Sequence, residues 1–523
     1  MSTAFAVRPE LDTADEPAPR GNPRLRWLTT AAIAAVVLVG SALRFVSVPP
    51  LWLDEAQGLM IARMPIPELF QGLREDGAPP LYYLLLQAWT AAFGVSDQAA
   101  RSLSGVISVA TLPIFWLAGR RLGGSSRIGY LTLVLAAANP WLIRYGSEAR
   151  MYSLVILFSL LVVLATHRVW NQPTITSGVM LAVAGAGLLY THYWALFLLA
   201  AVGVMAIVEF VQKDRRAALV SIAGLAGAGV LFLPWLPSFV FQSLHTGTPW
   251  ANRPNPTVFL GLLQEWSAHG FRAAAWTAFV LWPLLIFGYG AVNKAAHRIE
   301  IDLRGNSDTR WLAWLGGLTL LIAYVACTIQ TSAYVARYTS VVIGLVFVLA
   351  AIGLARLPTP YTVVLTVVLA AFWLAGSAFN ATQVVPSRSS QAGQIAKVLN
   401  AEAAAGDLIV FCPDQLGPSV SRLLRTPAER IAFPAGRGVD PARVNWVDYK
   451  QRHQNASASD FARSLDADLP ATSSIWLVSF SGYLTYGESC TEMQDTFDEL
   501  RGEGRELIEP SNSFYERAGL NRW

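Results

Sequence analysis

Apolar runs of about 16–20 residues recur along this chain, close to the length a helix needs to cross a hydrocarbon core. They lie at 28–48, 102–119, 128–142, 151–166, 175–190, 193–211, 218–236, 273–292, 311–329, 338–355 and 361–379. One further run, 81–93, is shorter and follows Pro79-Pro80. Whether it crosses is a question of charge, because cytoplasmic loops collect Lys and Arg. The basic clusters are Arg20/Arg24/Arg26, Arg120/Arg121/Arg127, His167/Arg168, Lys213/Arg215/Arg216, Lys294/His297/Arg298/Arg304 and Arg356. All of them share the side of the N-terminus only if 81–93 stays at the interface or re-enters. The pattern therefore predicts about eleven spans, a cytoplasmic N-terminus and an extracytoplasmic C-terminus. On this parity the loop 49–101, the turn 144–150, the turn at His192, the loop 237–272, the turn 330–337 and everything after 380 face outward.

The long apolar runs stop before about residue 385. Beyond it, 391–405 and 491–501 read as helices, and 407–412 and 474–480 as strands. This is the pattern of a small α/β domain. The chain then divides into a disordered cytoplasmic tail (1–26), a transmembrane domain (27–380) and an extracytoplasmic α/β domain (381–523). The expected fold class is an α-helical polytopic membrane protein with a small C-terminal α/β domain.

Composition sharpens the picture. The chain is 54% hydrophobic and 14% charged, against roughly 25% charge in soluble domains. Its 18 tryptophans suit the membrane interface. A net charge of +4, with no long basic run, argues against nucleic acid as a partner. Of three cysteines, Cys327 falls in an apolar run, while Cys412 and Cys490 lie in the C-terminal region. These two either form a disulfide outside the cell or remain two free thiols. No Cys or His spacing implies a metal site or cofactor.

The polar residues that stand out lie on the predicted outer side. Asp54 and Glu55 follow the first span in the run Leu51-Trp52-Leu53-Asp54-Glu55. Adjacent acids beside an apolar helix are costly unless solvated or paired. A carboxylate there suits a general base, and a hydrated surface pair is the plainer alternative. Asp76 opens the run Asp76-Gly77-Ala78-Pro79-Pro80-Leu81-Tyr82-Tyr83, whose tyrosines suit either a substrate or the headgroup zone. Arg144, Glu148 and Arg150 crowd one short turn, where Arg150 is placed to pair with Glu148 or bind a phosphate. Arg337-Tyr338 opens a late span and Arg101 opens the second one. Outward arginines go against the usual charge bias and call for an anion, a lipid headgroup or a phosphorylated substrate. His192 sits between two spans, as an interfacial hydrogen-bonder or a substrate contact.

Taken in order, these motifs resemble the GT-C glycosyltransferases of the protein O-mannosyltransferase and lipid A aminoarabinose transferase type. The resemblance rests on Asp54-Glu55 after one span, on Asp76-x-x-Pro79-Pro80-Leu81-Tyr82-Tyr83, and on Phe93-Gly94 leading to Ala100-Arg101. It continues in Glu148-Ala149-Arg150-x-Tyr152 and in Arg337-Tyr338. It covers roughly residues 28–380 and is strongest over 44–155. It implies a GT-C fold, a polyprenyl-phosphate sugar donor, and catalysis on the non-cytoplasmic face of the cell membrane without a metal. It also implies Asp54 as base with Glu55 beside it, and Arg337, Arg150 and Arg101 on the donor phosphate. Asp76, Tyr82, Tyr83, Glu148, His192 and Tyr338 are the expected substrate contacts. The chain departs from the pattern at Ala78, where relatives often carry His or Lys, and this shifts weight to the arginines. The acceptor is a glycan, a lipid or a protein. The rival readings are a transporter or flippase of a lipid-linked glycan and a non-catalytic envelope assembly factor. A transporter needs polar residues near the bilayer midplane, whereas here they crowd one end of the spans.

Overall fold

The computed structural model describes residues 23–47, 49–212, 214–248, 251–268, 276–295, 298–302, 309–330, 332–384, 389–483 and 487–523. The N-terminal tail up to residue 22, with Arg20, and also Lys213, Arg272, His297 and Arg304 lie outside them. The chain divides into two compact units. The first takes residues up to 46, 101–236 and 253–382, and the second takes 47–100, 237–252 and 383–523.

The first unit is a helical bundle. Among the described residues of the chain, eight helices are long and apolar enough to cross a membrane. They are Pro23–Leu43, Asp97–Gly123, Tyr152–Asn171, Ala195–Gln212, Arg215–His245, Arg310–Gln330, Ala336–Arg356 and Thr359–Gln383. The other three expected spans fall on helices of 13, 15 and 13 residues: Ser126–Ala138, Ile175–Leu189 and Thr277–Tyr289. Two of these stop early for visible reasons. Asn139 has extended backbone and caps a separate short helix, Pro140–Gly146, by accepting from the Leu142 N–H at 3.0 Å. Proline fits the first position of such a helix, where its missing N–H is no loss. The helix ending at Tyr289 gives way at Gly290 to an antiparallel pair, β1 (Ala291–Ala295) and β2 (Arg298–Asp302), where a continuous span to 292 was expected.

The helix Ser340–Arg356 is the core of the bundle, with fifteen consecutive residues from Ser340 to Leu354 buried. Glycine lets its neighbour close in. A Cβ on Gly353 would sit 1.9 Å from the Leu284 carbonyl oxygen, and one on Gly288 would sit 2.2 Å from that of Leu349. Small residues at such crossings are how apolar helices gain contact where no hydrophobic force drives them together. Arg44 ties the end of the first helix to the bundle. Its buried guanidinium donates to the carbonyls of Gly40 (2.6 Å), Ala136 (3.0 Å) and Ala137 (3.1 Å) and to Ser108 Oγ (2.8 Å). Carbonyls at a helix C-terminus carry partial negative charge, so a cation is stabilised there.

The second unit joins three segments that are remote in sequence. The loop after the first helix is itself helical, as Leu53–Ala62, Ile66–Asp76 and Leu81–Phe93. The last of these has the bounds expected from the sequence. Its 13 residues rise only about 20 Å. The residues from 237 pack here as well, through Gln242, whose amide donates to the carbonyls of Leu73 (2.8 Å) and Ala78 (3.3 Å).

The C-terminal segment folds around a five-stranded mixed sheet. Its strands are β3 (Leu408–Cys412), β4 (Glu429–Ala432), β5 (Ile475–Ser479), β6 (Arg505–Ile508) and β7 (Gly519–Arg522), in the order β4-β3-β5-β7-β6. β3 is parallel to β4 and β5, and β7 is antiparallel to β5 and β6. Side chains alternate between the two faces of a strand, and both faces are covered. Ile409, Phe411, Trp476 and Val478 pack with Ile395 and Leu399 of helix Ala392–Glu402. Leu408, Val410, Ile475 and Leu477 pack with helices Ala458–Ala467 and Gly487–Arg501. Burial on both faces explains why β3 reads as an unbroken apolar run. Cys412, closing β3, is disulfide-bonded to Cys490 on the last of these helices, with Cα atoms 5.4 Å apart. Cys327 is a buried free thiol.

Candidate active site

The expected site residues gather into two groups, one in each unit. In the second unit the acids sit on the helix Leu53–Ala62. Its N-cap position is Trp52, whose side chain accepts no hydrogen bond. Asp54 and Glu55 occupy its first turn, where the helix dipole favours negative charge. The two acids differ in access. Glu55 is 1% exposed, whereas Asp54 is only half-buried. One turn on, Gln57 anchors the helix from below. Its amide donates to the Val444 carbonyl at 3.2 Å and accepts from the Val444 N–H at 3.0 Å. The same amide donates to Asp76.

Asp76 ends the helix Ile66–Asp76 against Gly77, whose φ of +84° is the left-handed turn that glycine adopts freely. Its second carboxylate oxygen accepts from the Tyr83 hydroxyl at 3.3 Å. Asp76 therefore bridges the acid helix to the helix that follows Pro79-Pro80. Tyr82 and Tyr83 are both buried, at 2% and 1% exposure, with their rings edge to face at 6.0 Å. Ala78 is buried too, with its carbonyl engaged by Gln242. Charge from Asp54 reaches both Tyr483, just beyond β5, and the buried Glu516. Neither residue stood out in the sequence. Glu516 lies more than 450 residues from Asp54, and no spacing or motif ties the two.

In the first unit the cationic group surrounds His192. Arg150 and Arg337 both act on its imidazole. Burial first, and then these two cations, push its pKa down to about 3, so the ring is neutral at physiological pH. Its Nδ1 accepts from the Trp194 N–H at 3.1 Å, which leaves the ring proton on Nε2. The Tyr338 ring is 5.0 Å from His192 and the Tyr152 ring 6.4 Å. The Arg337 guanidinium lies 5.6 Å from the centroid of Tyr338. Arg337 belongs to a 3₁₀ turn, Ala336–Thr339, that leads into the central helix. Glu148 pairs with Arg144 at 3.7 Å, a partner not anticipated from the sequence. Arg101 is buried one turn before Ser104, whose hydroxyl donates to the Arg150 carbonyl at 2.9 Å. Arg150, Arg337, His192, Tyr338 and Glu148 thus belong to one neighbourhood, and Arg101 lies on the helix that meets the Arg150 backbone. Such a set of cations with a neutral N–H donor suits a phosphate. Among the described residues, no three His, Cys, Asp or Glu side chains are grouped to hold a metal ion.

The chain is similar to known proteins at two levels. Residues 77–237 match the family model of dolichyl-phosphate-mannose-protein mannosyltransferases. The fold extends over nearly the whole chain. The structure of ArnT from Cupriavidus metallidurans bound to undecaprenyl phosphate superposes with a TM-score of 0.57 at 15% identity, covering 95% of this chain and 98% of that one. The chain carries the GT-C glycosyltransferase fold. ArnT in the apo state superposes on this GT-C chain with a TM-score of 0.58 at 16% identity, again covering 95% and 98%. The mycobacterial arabinofuranosyltransferase AftD gives 0.51 at 14% identity, covering 95% of this chain and 40% of the larger one. No curated protein matches it significantly in sequence. The matched family segment, residues 77–237, lies within this fold, and the described residues hold eight helices long and apolar enough to cross a membrane.

Proposed function

We propose that the protein transfers a sugar from a polyprenyl-phosphate donor to an acceptor hydroxyl on the extracytoplasmic face of the membrane, with inversion at the anomeric carbon. Asp54 takes the proton of the acceptor hydroxyl. The acceptor oxygen attacks the anomeric carbon, the bond from that carbon to the phosphate oxygen breaks, and polyprenyl phosphate leaves. Arg150 and Arg337 stabilise the leaving phosphate, with Arg101 supporting their side and neutral His192 offering its Nε2–H. Preorganised donors aimed at developing charge are the largest single source of such stabilisation. Glu55, more deeply buried than Asp54, tunes the base and does not take the proton.

The observation that carries this reading is the cationic group around a neutral histidine, on a fold shared over 95% of the chain with a protein solved with undecaprenyl phosphate. Four further features support it. The segments 47–100, 237–252 and 383–523 share one compact unit, as a common side of a membrane would require. The charge parity assigns that side to the exterior. A disulfide in the same unit suits an oxidising compartment. Asp54 is the more accessible of the two acids, as a base must be.

The test is a turnover assay of purified protein with a panel of polyprenyl-phosphate sugars, comparing wild type with Asp54→Asn and Glu55→Gln. General base catalysis contributes about 10²–10⁴-fold. Asp54→Asn is expected to fold and lose at least about a hundredfold in turnover, and Glu55→Gln to lose less. Near-normal turnover in well-folded Asp54→Asn would sink the base assignment. Absence of turnover with every lipid-linked sugar would sink the donor class.

A further inference from the structure

The acid helix begins without a cap of its own. The first N–H groups of any helix lack intrahelical acceptors, and Trp52 supplies none from its side chain. The Leu53 N–H is instead taken by the Oε1 of Glu516 at 3.1 Å. Glu516 is 4% exposed. The same Oε1 accepts from the Ser419 hydroxyl at 3.0 Å, and Oε2 accepts from the Ser390 hydroxyl. The Ser390 hydroxyl is itself fixed by accepting from the Ala392 N–H at 3.0 Å.

Packing repeats the arrangement around this point. Trp52 meets the ring of Tyr515 edge to face at 5.3 Å, while Trp52 and Leu53 bury themselves against Val444 and Tyr449. Ser419 follows β3 and Tyr483 follows β5, so the acid helix starts beyond the carboxyl ends of the two central parallel strands. That edge is where open α/β sheets ordinarily receive a ligand. Here a helix of the same chain occupies it.

We propose that Glu516 is a positioning residue for the reaction, capping the acid helix from the C-terminal domain so that Asp54 is held where it accepts the acceptor proton. This rests on the assignment of Asp54 as the base. The ionised carboxylate caps most strongly, because an N–H bond to a charged oxygen is roughly twice as strong as one to a neutral oxygen; protonation on Oε2 turns the Ser390 hydroxyl into an acceptor and weakens the cap on the Leu53 N–H. Burial, opposed by these hydrogen bonds and reinforced by the charge of Asp54, brings the Glu516 pKa to about 7. The ionisable groups that meet Glu516 are Asp54 on the acid helix and Tyr483 beyond β5. The ionised cap also places a negative charge beside Asp54.

The experiment compares Glu516→Gln with Leu53→Pro in the full-length protein. Glutamine keeps the shape and loses the charge. Proline at the first helical position removes the N–H that Glu516 holds and is tolerated there; Leu53→Ala is the control for the packing of Leu53 against Val444 and Tyr449 that is lost with it. Trp52, with φ −84° and ψ 172°, already has the extended backbone that a following proline requires. Glu516→Gln is expected to keep its melting temperature and its KM for the donor, and to lose about tenfold to a hundredfold in kcat, the scale of one charge-assisted hydrogen bond. Wild-type kcat is expected to fall as pH drops through about 7, and Glu516→Gln to lack that limb. A merely structural residue moves neither kcat alone nor the pH profile. Wild-type kcat and an unchanged pH profile in folded Glu516→Gln, alongside an inactive Asp54→Asn, would overturn the proposal and leave the base standing. If Glu516→Gln does not fold, Leu53→Pro decides. A folded variant with reduced kcat supports the proposal, and one with wild-type kcat overturns it. Near-normal turnover in Asp54→Asn removes the base itself and this role for Glu516 with it.

Discussion

Breaking the disulfide tests the C-terminal domain and its side of the membrane together. Cys412 closes β3 and Cys490 sits on the helix Gly487–Arg501, and both lie in the core that covers one face of the sheet. The bond closes a loop spanning 78 residues. In the chain-entropy picture, a loop of that length restrains the unfolded chain by about 15 cal/mol/K, or about 4.5 kcal/mol at 25 °C. For a domain of this size that corresponds to a fall of about 10–20 °C in melting temperature. The perturbation is the double variant Cys412→Ala/Cys490→Ala, which leaves no buried thiol in place of the bond. The assay is thermal unfolding of the purified protein, with wild type measured with and without reductant. Both the variant and the reduced wild type are expected to melt lower by that margin. In parallel, protein denatured without reductant is treated with a thiol-reactive polymer. Only Cys327 should shift the band before reduction, and three thiols after it. Three modified thiols in unreduced protein from intact cells would refute the bond and remove the redox support for an exterior domain. An intact bond with an unchanged melting temperature in the double variant would refute the entropic estimate.

Two further predictions concern the cationic group. Arg337→Ala and Arg150→Ala are each expected to cost about 1.5–3 kcal/mol in donor recognition, read as roughly ten- to a hundredfold in kcat/KM for the lipid-linked sugar. Unchanged donor dependence in both would reduce these arginines to lipid anchors. His192, pushed down to about 3, is neutral across the working range, so His192→Gln should keep the shape of the pH–rate profile. Loss of an inflection near pH 6–7 in that variant would show that the imidazole titrates. The same shift sets a stability trend. The unfolded chain takes up a proton near pH 6.5 and the folded ring does not. The contribution of His192 is therefore complete above that value and is lost as pH falls toward 3.

Much of the bundle was legible because its signal is local. A stretch of apolar residues between basic clusters needs no partner to be recognised, and the helix at 81–93 was delimited by Pro79-Pro80 before it and Gly94 after it. The breaks were less visible. Asn139-Pro140 sits inside an apolar run, and hydropathy alone does not register that proline closes one helix and opens another. In the C-terminal domain the central strands β3 and β5 were found because both faces are buried. The edge strands β4 and β6 have exposed positions and few apolar residues, so no run marked them. The β6–β7 pairing also carries a register irregularity between Glu506 and Ile508, which breaks any simple alternation.

The candidate site divides along the same line. Asp54, Arg150 and Arg337 stood out because a charge at the end of an apolar run contradicts its surroundings, and that contradiction is written in adjacent residues. Their supports leave no such mark. Gln57 reads as an ordinary polar residue on a short helix, yet it holds Asp76 and both backbone groups of Val444. Arg144, whose role did not stand out in the sequence, pairs with Glu148. Glu516 lies among polar residues where one more acid is unremarkable, and only the fold turns it into the cap that Trp52 lacks. A residue that reacts has to be exceptional where it stands in the chain. A residue that holds it needs only to be the right length at the right place, and that place is set by a sheet whose strands come from the far end of the sequence.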